Sequence, residues 1–137
     1  MAARSKARRR ALDLLYSAEM RGETPVEAFD RVVAAGEAPT NPYTETLVRG
    51  VAEETSRLDE VLAQYAEGWT LDRMPAVDRN VLRLGLWEML HGDDVPDTVA
   101  ISEAVALVRD LSTDDSPSFV NGVLGAIQRA GIAPQES

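Results

Sequence analysis

Three groups of residues in this sequence have the types and spacing to do chemistry, and the chemistry is binding. The first is Arg4, Lys6, Arg8, Arg9 and Arg10, followed by Tyr16. On a helix Arg9 and Tyr16, seven apart, share one flank, with Met20 close by. A guanidinium beside an aromatic ring can hold a phosphate and stack a base. Cations in a first helical turn oppose the helix dipole, so the cluster carries a local cost that favours an anionic partner over a merely solvated helix start. The second group is Ser116, Ser118 and Phe119. Free backbone N–H groups and hydroxyls at a helix start can receive phosphate, and an aromatic at the edge of an apolar face can stack on an unpaired base. The alternative is a plain serine cap with Phe119 in the core, and these residues alone favour it. The third group is Arg79, Arg83 and Trp87, at i, i+4 and i+8 beside Asn80. Arginine and tryptophan tolerate desolvation at protein interfaces. The stripe either faces a partner, or Trp87 caps the core and the arginines pair with local acids.

Nothing comparable supports catalysis. No nucleophile stands with a plausible base, no glycine-rich phosphate loop is present, and no carboxylate pair sits in an apolar context. The chain has no cysteine and one histidine, His91, which excludes disulfides, thiolate metal sites and a His-based metal cluster. The expectation is a non-enzyme with no metal and no cofactor. The acidic pairs Glu53-Glu54, Asp93-Asp94 and Asp114-Asp115 fall on predicted surfaces or loops.

Charge is divided unevenly along the 137 residues. The net charge is −9. Residues 1–21 carry six basic and two acidic side chains, and residues 22–137 carry eight basic against twenty-one acidic. An acidic body repels a polyanion, so a basic end on it implies a local binding site, not a general coating of nucleic acid. No apolar run approaches a membrane span, and the basic N-terminus lacks an apolar signal core. The reading is therefore cytoplasmic, with no membrane partner.

The elements that must position these groups are helices. An apolar fraction of 45% with only 5% aromatics, dominated by Ala and Leu, favours helix packing over sheet, and no strand alternation occurs. Ser5 to about Arg21 predicts a first helix with Ala7, Ala11, Leu14, Leu15 and Ala18 inward. Gly22 stops it. Thr24-Pro25-Val26-Glu27 is a capping box with proline at its first position, opening a helix to about Ala35. Asn41-Pro42 opens a third helix, Tyr43 to about Ser56, and a fourth follows from about Leu58 to Glu67; no breaker separates these two, so one bent helix is an alternative. Gly68 and Pro75 bracket a linker containing Trp69. Ala76 to Leu90 is apolar around more than half its circumference and must be wrapped by other helices. Only Glu88 breaks its apolar side, which means either pairing with an arginine of a neighbouring helix or an earlier helix end. A sixth helix covers Val99 to Arg109, and Ser116-Pro117 starts the last. Gly122 and Gly125 inside it predict the close approach of another backbone. The result is an all-α fold of about seven helices in two packed helical subdomains, about 1–67 and 68–132, with a frayed tail at 133–137.

Four blocks carry a resemblance: ARSKARRRALDLLYSAEM at the N-terminus, VDRNVLRLGLWEML, VAISEAVALVRDL, and FVNGVLG from Phe119 to Gly125. In that order and spacing they resemble the NusB family of bacterial transcription antitermination factors, over about Arg4 to Gly131. The resemblance implies a single RNA-binding domain that acts on the single-stranded boxA element of ribosomal RNA leader transcripts. It implies a partner, NusE, also a small-subunit ribosomal protein, and membership of the RNA polymerase antitermination complex. By position, Arg4, Lys6, Arg8, Arg9 and Arg10 would grip phosphates, Tyr16 and Phe119 would contact bases, and Asp115 and Ser116 would border the RNA site. Asp72, Asp78, Arg79, Arg83 and Trp87 would face NusE. Pro117-Ser118 stand where many members carry a basic residue just before the phenylalanine, a departure from the family pattern that bears on the strength of RNA binding without NusE. Some members self-associate through the RNA-facing surface, so a homodimer belongs among the implied states. Two other readings stand beside this one: a purely protein-binding module, and an accessory NusB-like domain of a ribosomal RNA methyltransferase system. The implied RNA patch gathers cations and two flat side chains from opposite termini.

Overall fold

The computed structural model describes residues 3–132; the expected frayed tail lies outside them. Among the described residues there are six α-helices: α1 (Ala3–Arg21), α2 (Pro25–Ala34), α3 (Pro42–Tyr65), α4 (Ala76–His91), α5 (Asp97–Leu111) and α6 (Ser116–Ala130), with a 3-10 turn at Leu71–Arg73. The count is six where about seven were expected, because the third and fourth expected helices run on as one bent element, the alternative that their sequence left open. α3 is kinked at Glu54 (φ −122°, ψ 17°), where no proline or glycine breaks the chain. Among the described residues no helix is long and apolar enough to cross a membrane.

The chain divides into two compact units, Met1–Thr55 and Ser56–Ser137. The division falls inside α3, near its kink, whereas the sequence suggested the linker at Gly68.

In the first unit α1 packs on α2. Ala7, Ala11, Leu14, Leu15 and Ala18 are buried as their periodicity requires. Gly22 closes α1 in the left-handed region (φ +68°), which costs a glycine little. The capping box closes as read: Glu27 N–H donates to Thr24 Oγ1 at 3.1 Å and Thr24 N–H to Glu27 Oε1 at 2.8 Å. Asn41 Oδ1 accepts the Tyr43 N–H at 2.9 Å and so caps α3.

In the second unit α4 packs on α5 and α6, and α5 on α6. Val81, Leu82, Leu84, Leu86 and Leu90 of α4 are all buried, each worth about 1.5–3 kcal/mol relative to exposure. The close approach expected at Gly122 and Gly125 is absent: a Cβ at Gly122 meets nothing, and at Gly125 only the Arg129 side chain. At Gly85 it is side chains that come close: a Cβ there would stand 2.8 Å from Leu124 Cδ1 and 3.4 Å from Ala104 Cβ. The missing side chain of Gly85 leaves the room that Leu124 of α6 and Ala104 of α5 fill. Glu88 is buried, and α4 runs on past it to His91, which removes the earlier helix end as its explanation.

Candidate nucleic-acid interface

The exposed strip of α1 follows from helical spacing. Lys6, Arg9, Asp13, Tyr16 and Met20 recur every three or four residues, and all five are exposed. Tyr16 has 41% of its surface open. The strip therefore presents two cations, a carboxylate, a phenol ring and a thioether in order along one helix face. Arg4 and Arg10 are half-buried at its edge.

Arg8 departs from the expectation of a solvent-facing phosphate grip. It is only 4% exposed. Its guanidinium lies 5.8 Å from the Tyr43 ring centroid, and that of Arg4 lies over the same ring at 4.3 Å. Both fall within cation–π range. The start of α3 holds α1 at two further points. Thr44 Oγ1 donates to the Ala7 carbonyl at 3.0 Å, and Asn41 Nδ2 to the Ala3 carbonyl at 3.3 Å. A helix start loaded with like charge is thereby held in shape by neutral donors and one aromatic ring. Arg10 Nη2 reaches the Glu37 carbonyl at 3.4 Å, and Lys6, Arg10, Thr40 and Asn41 line a hollow of about 320 Å³.

In the second unit, Trp69, Met74, Pro75, Thr113, Asp115 and Phe119 surround a cleft of about 420 Å³, with Asp78 and Ser116 at its back. The Trp69 and Phe119 rings meet edge to face, centroids 6.1 Å apart and planes at 61°, a favoured aromatic geometry. Trp69 is 51% exposed, whereas Phe119 is half-buried.

Two adjacent residues in the first turn of α4 set the two walls. Arg79 Nη1 donates to the carbonyls of Leu71 (2.6 Å) and Met74 (3.1 Å), which fixes the turn that follows Trp69. Asp78, expected at a partner surface, is instead 3% exposed. Its Oδ1 accepts from Ser112 Oγ at 2.6 Å and its Oδ2 from Ser116 Oγ at 2.9 Å. This ties the end of α5 and the start of α6 to α4. Its burial and these two accepted bonds give Asp78 a role inside the fold, which the expectation of a partner-facing residue did not include.

Proton counting fixes the direction of this network. A hydroxyl has one proton. Those of Ser112 and Ser116 go to Asp78, so the 3.1 Å approach between their oxygens is a contact without a proton between them. The 2.8 Å pair of Thr113 and Ser116 is then donated by Thr113, and Ser116 Oγ also accepts the Thr113 N–H at 3.2 Å. Ser116, 1% exposed, is thus neither a free phosphate ligand nor the serine cap of α6. The cap position is Asp115, whose side chain caps no backbone N–H and which stays exposed on the cleft.

The remaining α4 residues divide. Arg83 makes a two-pronged bond to Asp59, Nε to Oδ1 at 2.7 Å and Nη2 to Oδ2 at 2.9 Å, and Nη1 reaches Asn80 Oδ1 at 3.3 Å. Pairing with a local acid, one of the two readings of this stripe, holds for Arg83. Trp87 is half-buried with its ring 5.4 Å from that of His91, and Asp72 is exposed. Among the described residues no group of three or more His, Cys, Asp or Glu could hold a metal ion.

Trp69 is the site residue that sequence reasoning placed only in a packing linker. A tryptophan directly after a glycine, outside any helical period, was the available signal.

Comparison with known proteins agrees with this architecture. The NusB family model matches residues 5–129. A transcription antitermination protein NusB from Nocardioides sp. is 67% identical over 129 residues, 94% of this chain and 96% of its own. That from Saccharopolyspora erythraea is 61% identical over 134 residues, 96% of this chain and 89% of its own. Among solved structures, Thermotoga maritima NusB superposes with a TM-score of 0.83 at 30% identity, covering 93% of this chain and 92% of that one. The antitermination factor NusB solved with NusE and double-stranded RNA gives 0.80 at 31% identity, covering 93% and 96%. A family model spanning nearly all described residues, and relatives this similar over almost their whole length, leave one assignment: the chain belongs to the NusB family.

Proposed function

We propose that this protein is a non-catalytic RNA-binding transcription antitermination factor. It binds the single-stranded boxA element of ribosomal RNA leader transcripts together with NusE and joins the RNA polymerase antitermination complex in the cytoplasm. The observation that carries the RNA and NusE parts of this reading is the NusB relative solved with NusE and double-stranded RNA, matched over nearly the full length of each chain; the exposed Tyr16 ring and the half-buried Phe119 ring support an unpaired strand as the RNA bound. The first unit supports it with the exposed Lys6, Arg9 and Tyr16 strip and the adjoining Arg4 and Arg10. The second supports it with Phe119 and Asp115 on an open cleft. Arg8 contributes through its place at Tyr43, and Ser116 through the Asp78 network, each behind the surface. Asp72 and Trp87 offer NusE an exposed carboxylate and a half-buried indole, with Arg79 and Arg83 setting the surface behind them.

The test is RNA affinity as a function of salt, with NusE present. Each phosphate contact on a single strand contributes about 0.7 to the slope of log affinity against log salt. Replacing Lys6, Arg9 and Arg10 with alanine removes up to three contacts, so the slope should fall by about 2 and the affinity at low salt by at least tenfold. Wild-type affinity that is insensitive to salt, or absent even with NusE, refutes the reading. A duplex DNA of the same length serves as the control for non-specific polyanion binding.

A further inference from the structure

We propose that the Trp69–Phe119 cleft receives a single unpaired RNA base, and that Trp69 is the second ring against which that base stacks. This inference rests on the RNA-binding reading above and adds to it a binding residue and a mode of entry.

The geometry favours a flat, uncharged guest. The rings of Trp69 and Phe119 stand edge to face at one corner of the cleft, and the half of Trp69 that remains exposed offers indole surface to a third ring. Trp69 keeps half its surface open although the second unit buries aliphatic side chains efficiently elsewhere. Met74 and Pro75 continue the apolar rim. The cleft volume, about 420 Å³, lies in the range of small-molecule sites.

The polar wall argues against a phosphate. Asp115 offers a carboxylate that caps nothing, and Asp78 stands behind it. Thr113 has its hydroxyl proton committed inward by the proton count above, so it shows lone pairs only. Among the residues around the cleft there is no lysine or arginine. A phosphate there would face like charge, whereas a base is neutral and can donate from its ring or amino N–H groups to those acceptors. The strand would leave its phosphates outside the cleft and insert one base.

Both walls are held from α4 before any ligand arrives. Arg79 fixes the turn after Trp69, and Asp78 fixes the start of α6 that carries Phe119. A pre-formed site spends little binding energy on ordering, so stacking registers in affinity. Loss of one base–aromatic contact costs roughly tenfold.

The experiment uses the full chain labelled with 5-fluorotryptophan. There are two tryptophans, Trp69 and Trp87, and a Trp69→Phe sample assigns the two fluorine signals. NusE is added first and boxA RNA second. We expect the Trp69 signal to move on RNA addition and not on NusE addition. We expect Trp69→Ala to weaken RNA binding roughly tenfold with an unchanged salt slope, since no phosphate contact is lost, and Trp69→Phe to recover most of that affinity. A merely structural role would change folding, not affinity at constant slope with rescue by phenylalanine. If RNA binds the wild-type chain while the Trp69 signal stays still, the inference fails and the RNA reading survives. If NusE alone or a rise in protein concentration moves the Trp69 signal, the cleft is a protein-docking site and the inference fails. If wild-type chain and NusE bind no RNA, the reading fails and takes the inference with it.

Discussion

Replacing Asp78 by alanine should destabilise the second unit by about 2–3 kcal/mol. The magnitude follows from its two bonds. A hydrogen bond to a charged group is worth about 1.5–3 kcal/mol net, and Asp78 accepts two, from Ser112 and Ser116. The full sum is not reached, because both orphaned hydroxyls have somewhere to turn. Ser116 can reverse its 2.8 Å pair with Thr113 and donate there, and the half-buried Ser112 can reach water. Asparagine keeps the shape and one acceptor. Its NH2 can donate to Ser116 once that hydroxyl has turned toward Thr113, so Asp78→Asn should cost about 1 kcal/mol. The assay is urea denaturation followed by far-UV circular dichroism, with the slope in urea checked for constancy. A double-mutant cycle with Ser116→Ala isolates the pair, and we expect a coupling of about 1–2 kcal/mol. For a chain of this length the alanine variant should melt roughly 10 °C lower. A cost below about 0.5 kcal/mol for Asp78→Ala, or additivity in the cycle within about 0.5 kcal/mol, would show that the carboxylate does not tie α4 to α6.

Further expectations follow from other contacts. Gly85→Val should destabilise by about 1–3 kcal/mol through overpacking against Leu124 and Ala104, whereas Gly122→Ala, with open space around it, should be neutral or stabilising by up to about 1 kcal/mol; thermal melts of the two variants compare them directly. Asp13 lies within Coulombic reach of Arg10 and Arg9, so Asp13→Asn should tighten RNA binding at low salt, and a loss of affinity would contradict the cationic strip as the phosphate site. The Arg31 guanidinium bonded to Glu23 holds that carboxyl below the usual glutamate range. Its contribution is therefore present above about pH 4.3 and lost as pH falls through the depressed value, so Glu23→Gln should flatten the acid limb of a stability–pH curve and leave stability below that limb unchanged. Tyr43→Leu removes the ring shared by Arg4 and Arg8 and should weaken RNA binding several-fold, while Tyr43→Phe, which retains the ring, should not.

How much of this could be read in advance depended on the range of the interaction. Helix existence and inward faces are local properties. The period of Ala7, Ala11, Leu14, Leu15 and Ala18, the Thr24–Glu27 box, the Asn41 cap and the apolar girth of α4 each act within a few residues, and each is found where its pattern lies. The bend that merges two expected helices into α3 at Glu54 carries no such mark, because no residue there forbids either geometry.

The commitments of the polar side chains were of another kind. Arginine spacing on α4 is the same whether Arg83 meets a partner or Asp59, twenty-four residues away. Asp78 looks like a first-turn acid until Ser116, thirty-eight residues on, is brought beside it. Gly122 and Gly125 on α6 read as a close backbone approach that neither makes, while the tight packing against side chains falls at Gly85, since a missing Cβ says only that a close approach is allowed. Trp69 became a candidate ligand-binding residue only when Phe119 came within 6.1 Å. The order of residues determined the helices, their buried faces and the basic start, because periodicity and capping are read out along one chain. Tertiary structure alone decided which charges remain open to a ligand and which are spent inside, because that depends on groups far apart in sequence sharing one small volume.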